Sequence, residues 1–184
     1  SIQLYDYYEL GLYEDGIELD LGPHTQDFDH MVRHAIGRVS AIDKTRAQRF
    51  AQWYEGFFDE TTWVQQGLPS IDDDEPFVDP PEGCENKQLV VQVDSPYPNR
   101  PRYFIDSTLW HHPLMTPEQK AGTILHELIY REGIGFAVPN SIGVRYLTGL
   151  YSSNHVLTLT QREYVAVLRQ AGFRTVHLGV SEFQ

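Results

Sequence analysis

The sequence lacks several features that mark whole classes of protein. It contains one cysteine, Cys84, so neither an intramolecular disulfide nor a cysteine-rich metal site can form. No apolar run approaches the roughly 18 residues that a membrane-spanning helix needs. Basic residues are few, because 14 Lys and Arg stand against 26 Asp and Glu, and the formal net charge is −12. Such a chain repels nucleic-acid phosphates and anionic membrane surfaces, so we expect neither nucleic-acid binding nor membrane insertion.

The chain does have the length and composition of one folded domain over residues 1–184. A chain of 184 residues can bury a substantial core, and its 11 Tyr, 9 Phe and 3 Trp favour an ordered interior over disorder. Acidity is a common route to solubility outside the cytoplasm. Because Ser1 is not a natural start, we expect a secreted or periplasmic protein whose signal peptide has been removed.

The first 22 residues predict a β-hairpin. Ile17, Leu19 and Leu21 alternate with acidic residues, which is the period-2 pattern of a half-buried strand. The preceding acidic and glycine residues at 14–16 are typical of the turn.

Helical periodicity governs most of the remaining chain. Five helices are predicted, at about 26–40, 44–59, 117–132, 140–152 and 160–172. Thr116 and Pro117 start the third helix as its N-cap and first residue. Thr160 and Glu163 form a capping box at the start of the fifth, and Gly172 ends it.

The strands complete the predicted fold. Residues 89–93 and 103–105 predict a second hairpin, and 175–180 predict a short final strand. Residues 67–87 are rich in proline and acid and predict a long surface loop. We therefore expect an α+β fold in which a small antiparallel sheet of about four to five strands is packed by about five helices.

The sharpest chemical signal lies on the third predicted helix, where His126 and Glu127 are followed by Tyr130 and Arg131. In zinc peptidases the pattern HExxH places two histidines one helical turn apart on the metal, while the glutamate activates a water molecule. Tyr130 stands where the second histidine would be, and a neutral tyrosine is a poor ligand. In a purely structural helix, Glu127 would pair with Arg131 and His126 would pack against Tyr130.

A catalytic interpretation of the same helix needs another metal ligand. His111 and His112 precede the helix by a short loop, so either could join His126 as a ligand. Glu127 would then act as general base, and Tyr130 would ligate the metal or stabilise an oxyanion.

Other polar clusters have simpler explanations. His30 and His34 lie one turn apart, but on the polar face of their predicted helix, where exposed histidines are common. The acidic run at 72–75 lacks the ligand spacing and central glycine of a calcium loop. Asp106 with Glu127 could form a carboxylate pair of the kind that cleaves glycosides, although the sequence does not fix their separation.

Several stretches in order carry a family resemblance: LYDYYELGL, PEGCENKQLVVQ, YFIDSTLW, TILHELIYRE and SIGVRYLTGLYSS. This set, from about Leu4 to Ser153, resembles an uncharacterised group of secreted proteins of predatory, Bdellovibrio-type bacteria. The resemblance implies an extracytoplasmic location and an HExxYR helix as the rule, so that Tyr130 is not a damaged second histidine. It also implies a functional or fold-defining polar network of His126, Glu127, Tyr130, Arg131, Ser141 and Arg145.

These observations favour an extracytoplasmic, non-catalytic binding or structural domain with a degenerate zincin-type helix and a zincin-like core. Its expected partner is a protein or a cell-envelope component, and no cofactor is expected. The alternative is a metal-dependent hydrolase, with zinc as cofactor, that acts on peptides or cell-wall material.

Overall fold

The computed structural model describes residues 2–13, 17–23, 27–69, 79–95, 97, 100–138 and 140–175. In these ranges it confirms the α+β class, with seven α-helices, one 3-10 helix (η1) and three strands. In chain order the elements are α1 (Tyr5–Tyr13), α2 (Phe28–Ser40), α3 (Lys44–Glu55), β1 (Thr61–Val64), β2 (Val90–Gln92), β3 (Tyr103–Asp106), α4 (Ser107–Trp110), α5 (Pro117–Gly135), α6 (Ile142–Tyr151), η1 (Asn154–Thr158) and α7 (Gln161–Gln170).

The three strands form a mixed sheet in the order β1-β3-β2. β2 and β3 are the expected antiparallel pair, with Val90 opposite Ile105. β1 was not expected as a strand, and it pairs with β3 in parallel, with Trp63 opposite Ile105. Parallel pairing needs a long crossover, and residues 65–102 supply it. The described sheet is therefore smaller than the four to five strands expected, and it is not wholly antiparallel.

The predicted N-terminal hairpin is wrong. Residues 5–13 form α1, whose buried side chains include Tyr7 and Leu10, spaced three apart as on one face of a helix. Leu19 makes a single antiparallel bridge to Ser153 rather than belonging to a hairpin. The expected turn at 14–16 lies outside the described residues.

The two helices that follow are confirmed. The side chain of Asp27 caps α2 by accepting a hydrogen bond from the Asp29 amide, and Asp43 caps α3 by accepting one from the Arg46 amide. α3 ends at Glu55, earlier than expected, and Gly56 follows it as the C-cap.

The C-terminal helices keep their predicted caps. Thr116 caps α5, and Thr160 with Glu163 forms the capping box of α7. Gly172 adopts φ +85°, the left-handed conformation that suits glycine after a helix. Of the expected final strand only Thr175 is described, and it is in neither a helix nor a strand.

α5 runs through the centre of the hydrophobic core. Ile124, Leu125, Leu128 and Ile129 are each at most 1% exposed, and each such burial stabilises the fold by about 1.5–3 kcal/mol. The same hydrophobic cluster extends from Tyr7 in α1 to Phe173 after α7.

α1 approaches α5 and α6 closely because two glycines make room for it. A Cβ atom added to Gly122 would lie 2.5 Å from the Tyr7 hydroxyl oxygen, and one added to Gly149 would lie 3.0 Å from Leu10 Cδ2. The Tyr7 hydroxyl also lies 2.9 Å from Ser152 Oγ. α1 is thus seated on the two helices that carry most of the candidate functional residues.

Candidate functional site

His126 lies on the face of α5 that α1 covers. Its Nδ1 is 2.6 Å from Oδ2 of Asp6, and the side chains of His126 and Asp6 are 18% and 4% exposed. A nearly buried carboxylate at this distance forms a charge-assisted hydrogen bond to a protonated ring.

The protonation of His126 follows from its surroundings. Burial by itself lowers the pKa of His126, but the charge of Asp6 and its hydrogen bond outweigh that effect. Glu127 raises this pKa further and Arg145 lowers it, and the pKa lies at about 9 instead of 6.5. His126 is therefore a cation at neutral pH.

Glu127 points to the sheet side and meets Gln92 of β2. With the Gln92 amide oriented to satisfy both of its ends, its nitrogen donates to Glu127 Oε2 at 2.8 Å and to the Glu127 main-chain oxygen at 2.9 Å. The Gln92 amide oxygen then accepts from the Arg131 amide at 3.3 Å. The side chain of Gln92, in the edge strand β2, is thus hydrogen-bonded to two residues in the middle of α5. We refer to Asp6, Gln92, His126 and Glu127 together as the HE site.

The pKa of Glu127 is raised from its ordinary 4.5 to about 7, chiefly by burial; His126 lowers this pKa and the charge of Asp6 raises it. A carboxyl group with this pKa could exchange a proton near neutral pH. However, Glu127 is only 6% exposed, so a substrate could reach it only after movement of its neighbours.

A second ion pair joins α1 to α6. Arg145 donates from Nε to Glu9 Oε2 at 2.7 Å and from a terminal nitrogen to Ser141 Oγ at 2.9 Å. Its guanidinium carbon also lies 5.4 Å from the centre of the Tyr5 ring. Two members of the predicted polar network, Ser141 and Arg145, are therefore in contact, and Glu9 of α1 joins them.

The other two residues of the predicted polar network, Tyr130 and Arg131, have different neighbours. The Tyr130 ring packs against His126 with 6.2 Å between ring centres, as expected. Arg131 turns to Glu60 Oε2, 3.1 Å away, and stacks at 4.8 Å over Trp53, rather than pairing with Glu127 as expected.

The histidines and carboxylate proposed as helpers of the HE site have other partners. His111 Nδ1 lies 2.8 Å from the Ser107 carbonyl oxygen, and His112 Nδ1 accepts a hydrogen bond from the Leu114 amide at 3.1 Å. Asp106 caps α4 by accepting from two main-chain amides, at 2.8 and 2.9 Å.

A zincin holds its zinc ion with three protein ligands that lie close together. Among the described residues, one group of three or more possible metal ligands has its ligand atoms within 4.8 Å of one another: Asp27, Asp29 and His30, at the exposed start of α2. Asp29 already binds Arg33 and the Tyr54 hydroxyl. His126 belongs to no such group in the described ranges, so these residues do not fit the three-ligand zinc site of a peptidase.

A separate buried network fixes α3 to α5 and α7. Arg46, 5% exposed, donates to Glu132 Oε2 at 2.9 Å, to Asp43 Oδ2 at 2.6 Å and to the Tyr164 hydroxyl at 2.9 Å. Arg49 adds a bond to the other oxygen of Glu132 at 2.9 Å. Because every carboxylate here is paired with a cation, the cluster is structural in character.

Sequence reasoning missed Asp6, Glu9 and Gln92. Asp6 and Glu9 are three residues apart, a spacing that places two side chains on one helical face, but the segment was interpreted as a strand. Gln92 carries no local signal, because its role depends on a helix more than 30 positions away.

No family model and no solved structure matches the chain. Over 94 residues, 48% of the chain, it is 30% identical to an extracellular protease of Aeromonas hydrophila. The matched stretch is 25% of that protein, so the chain spans about a quarter of the relative's length. Within the described ranges, no helix combines the length and apolar character needed to cross a membrane.

Proposed function

We propose that this chain is an extracytoplasmic, non-catalytic binding domain in which the HE site on α5 holds the fold together. The observation that carries the proposal is that both motif side chains are engaged inside the protein. Nδ1 of His126 donates a hydrogen bond to Asp6 Oδ2 at 2.6 Å, and the Gln92 side-chain amide donates one to Glu127 Oε2 at 2.8 Å. These contacts connect α1 and β2 to α5, as a buried polar network with a structural role does.

The extracytoplasmic location is supported by the similarity to an extracellular protease. It agrees with the acidic charge of −12. The proposed partner is a protein or a cell-envelope component, and oppositely charged regions of such a partner would be attracted to the acidic surface.

The proposal is tested by measuring metal content and stability together. Protein purified without chelators or metal-affinity resin is analysed for zinc beside a His126→Asn variant, with His30→Asn as the matched control on an exposed helix face. We expect no stoichiometric metal in any sample and a lower free energy of unfolding for His126→Asn alone. One zinc ion per chain that is lost in His126→Asn would contradict the proposal.

The second candidate is a metal-dependent hydrolase acting on peptides or cell-wall material. The 30% identity to an extracellular protease, which covers 48% of the chain, favours it. His126 would be a ligand, with His111 or His112 as another, and Glu127 and Tyr130 would be catalytic. This arrangement requires a rearrangement of the described residues, because His111 and His112 are bound within the loop before α5.

Hydrolysis assays separate the two candidates. Casein and purified peptidoglycan are incubated with the protein, with and without added zinc, beside Glu127→Gln, which keeps a side chain of the same size against Gln92. Zinc-dependent cleavage that Glu127→Gln abolishes would establish the hydrolase. We expect no cleavage above the level of the variant.

A further inference from the structure

Two large aromatic side chains lie exposed beside each other near the start of β1. Phe58 is 38% exposed and Trp63 is 41% exposed. Their ring planes are within 13° of parallel, and their centres are 6.3 Å apart. The two rings are therefore offset and nearly parallel, and together they form a surface that we call the aromatic platform.

Buried rings support the platform from the protein side. Phe57 meets Phe58 at 82° with 5.2 Å between centres, and Trp110 meets Trp63 at 60° with 5.9 Å. Phe28 also contacts Phe58 edge-on at 6.1 Å. Since Phe57 and Trp110 are at most 3% exposed, the exposed rings rest on a fixed base.

Two polar side chains lie beside this group of exposed and buried rings. The His111 ring lies 5.5 Å from Trp63, and its Nδ1 is held at 2.8 Å by the Ser107 carbonyl oxygen. The Lys120 ammonium lies 5.5 Å from the centre of the Trp110 ring. The platform therefore has an imidazole in contact with one of its exposed rings, and a cation over the buried Trp110 ring that supports it.

We propose that the aromatic platform is a binding site for a saccharide chain. The C–H face of a pyranose ring is apolar and weakly positive, so it stacks on the negative face of an aromatic ring. In its neutral form the His111 ring, whose Nδ1 donates to the Ser107 carbonyl oxygen, would accept a hydrogen bond from a sugar hydroxyl at Nε2, and the Lys120 ammonium would donate to another hydroxyl oxygen. A rigid apolar surface with a few placed polar groups is the usual form of a small-ligand site.

The charges favour this ligand over other occupants. The net charge of −12 disfavours phosphate polymers and anionic lipid surfaces, whereas a neutral glycan is not repelled. This inference rests on the proposed function as a binding domain and specifies the chemistry of its cell-envelope ligand.

The test is a titration of the full chain with chitotetraose, cellotetraose and maltotetraose, which differ in sugar type and linkage. Binding is followed by calorimetry and by the NMR shift of the Trp63 indole N–H. Trp63→Ala and Phe58→Ala remove the stacking faces. Leu157→Ala is the matched control, because Leu157 is a 50% exposed apolar side chain in η1, an element that contributes none of the ring contacts described for the platform. Urea denaturation of each variant verifies that it folds.

We expect saturable binding of at least one tetrasaccharide, weakened about tenfold or more by Trp63→Ala and unchanged by Leu157→Ala. No binding to any of the three, or equal binding by Trp63→Ala, would overturn the saccharide proposal. A Trp63 shift on phosphatidylcholine vesicles without any response to sugars would overturn it in favour of a lipid surface. The proposed function as a non-catalytic domain depends on metal content and hydrolysis, so these outcomes do not decide it.

Discussion

Replacing Asp6 by asparagine removes the carboxylate that faces His126 but keeps an oxygen able to accept the hydrogen bond from Nδ1. In the native protein the pKa of His126 is raised from 6.5 to about 9. One pKa unit corresponds to about 1.4 kcal/mol, so protonated His126 contributes about 3 kcal/mol to the free energy of unfolding. We expect Asp6→Asn to lose most of this amount near neutral pH.

The loss must depend on pH in a defined direction. Because the folded-state pKa of His126 lies above its unfolded value, its contribution is fully present below pH 6.5 and disappears as pH rises through about 9. The difference in free energy of unfolding between the native protein and Asp6→Asn should therefore be largest near about pH 6 and should disappear near about pH 10. The folded pKa of Glu127 is also raised, in part by Asp6, so the stability that the native protein loses through Glu127 between pH 4.5 and about 7 is smaller in Asp6→Asn. The His126 contribution is therefore taken from the change in the difference between the two proteins above about pH 8, where Glu127 is ionised in both.

Urea denaturation at a series of pH values measures this difference in free energy of unfolding. The NMR shift of the His126 ring protons, followed over the same pH series, measures the pKa of His126 directly. Asp27→Asn is the matched control, since Asp27 faces His30 at 2.8 Å with side chains 49% and 71% exposed. Exposed pairs contribute little, so this variant should stay close to the native protein at every pH. A difference for Asp6→Asn that is the same at about pH 8 and about pH 10 would refute the ion pair as its source.

Two further predictions concern packing and the second buried network. Gly122→Ala should lower the free energy of unfolding by about 1–3 kcal/mol, because its methyl group would collide with α1. Gly135→Ala, with open space around it, should be neutral or slightly stabilising. Equal effects of the two substitutions in urea denaturation would contradict the close packing of α1. Glu132→Gln should lower the free energy of unfolding by about 3 kcal/mol or more, because it removes the buried carboxylate that pairs with Arg46. Arg33→Gln, which breaks an exposed ion pair, should lower it by less than about 1 kcal/mol. A comparable loss for both in thermal or urea unfolding would show that burial does not determine how much an ion pair contributes.

Local signals were sufficient to predict α2, α3, α5 and α7. Each begins at a side chain that accepts a hydrogen bond from an amide of the first turn, and each continues with apolar residues at helical spacing. Caps and periodicity depend on neighbours within a few positions, so they can be identified from the sequence alone.

The misinterpreted elements depend on distant partners. Asp6 and Glu9 are explained by His126 and Arg145, which lie 120 and 136 positions later. Without those cations, two acids among tyrosines and leucines can be assigned to either a strand or a helix. β1 is likewise short, and it is specified by pairing with β3 across residues 65–102.

The HE site could be predicted in part for the same reason. Its α5 residues, His126 and Glu127, were identified from a motif written in consecutive positions. Asp6 and Gln92, which determine how those residues are charged and held, come from α1 and β2. Motif reasoning finds the residues on one helix, whereas their electrostatic surroundings require the fold.

The long-range seating of α1 has a consequence for how the chain folds during synthesis. Leu4, Asp6, Tyr7 and Glu9 contact residues between 115 and 145 positions further along, so α1 cannot dock until α5 and α6 have been made. At about 5–20 residues per second, the side chains of α1 are made roughly 6–30 seconds before the residues that bury them. α1 is therefore made before the two helices that bury it, and its apolar side chains stay exposed until those helices are available.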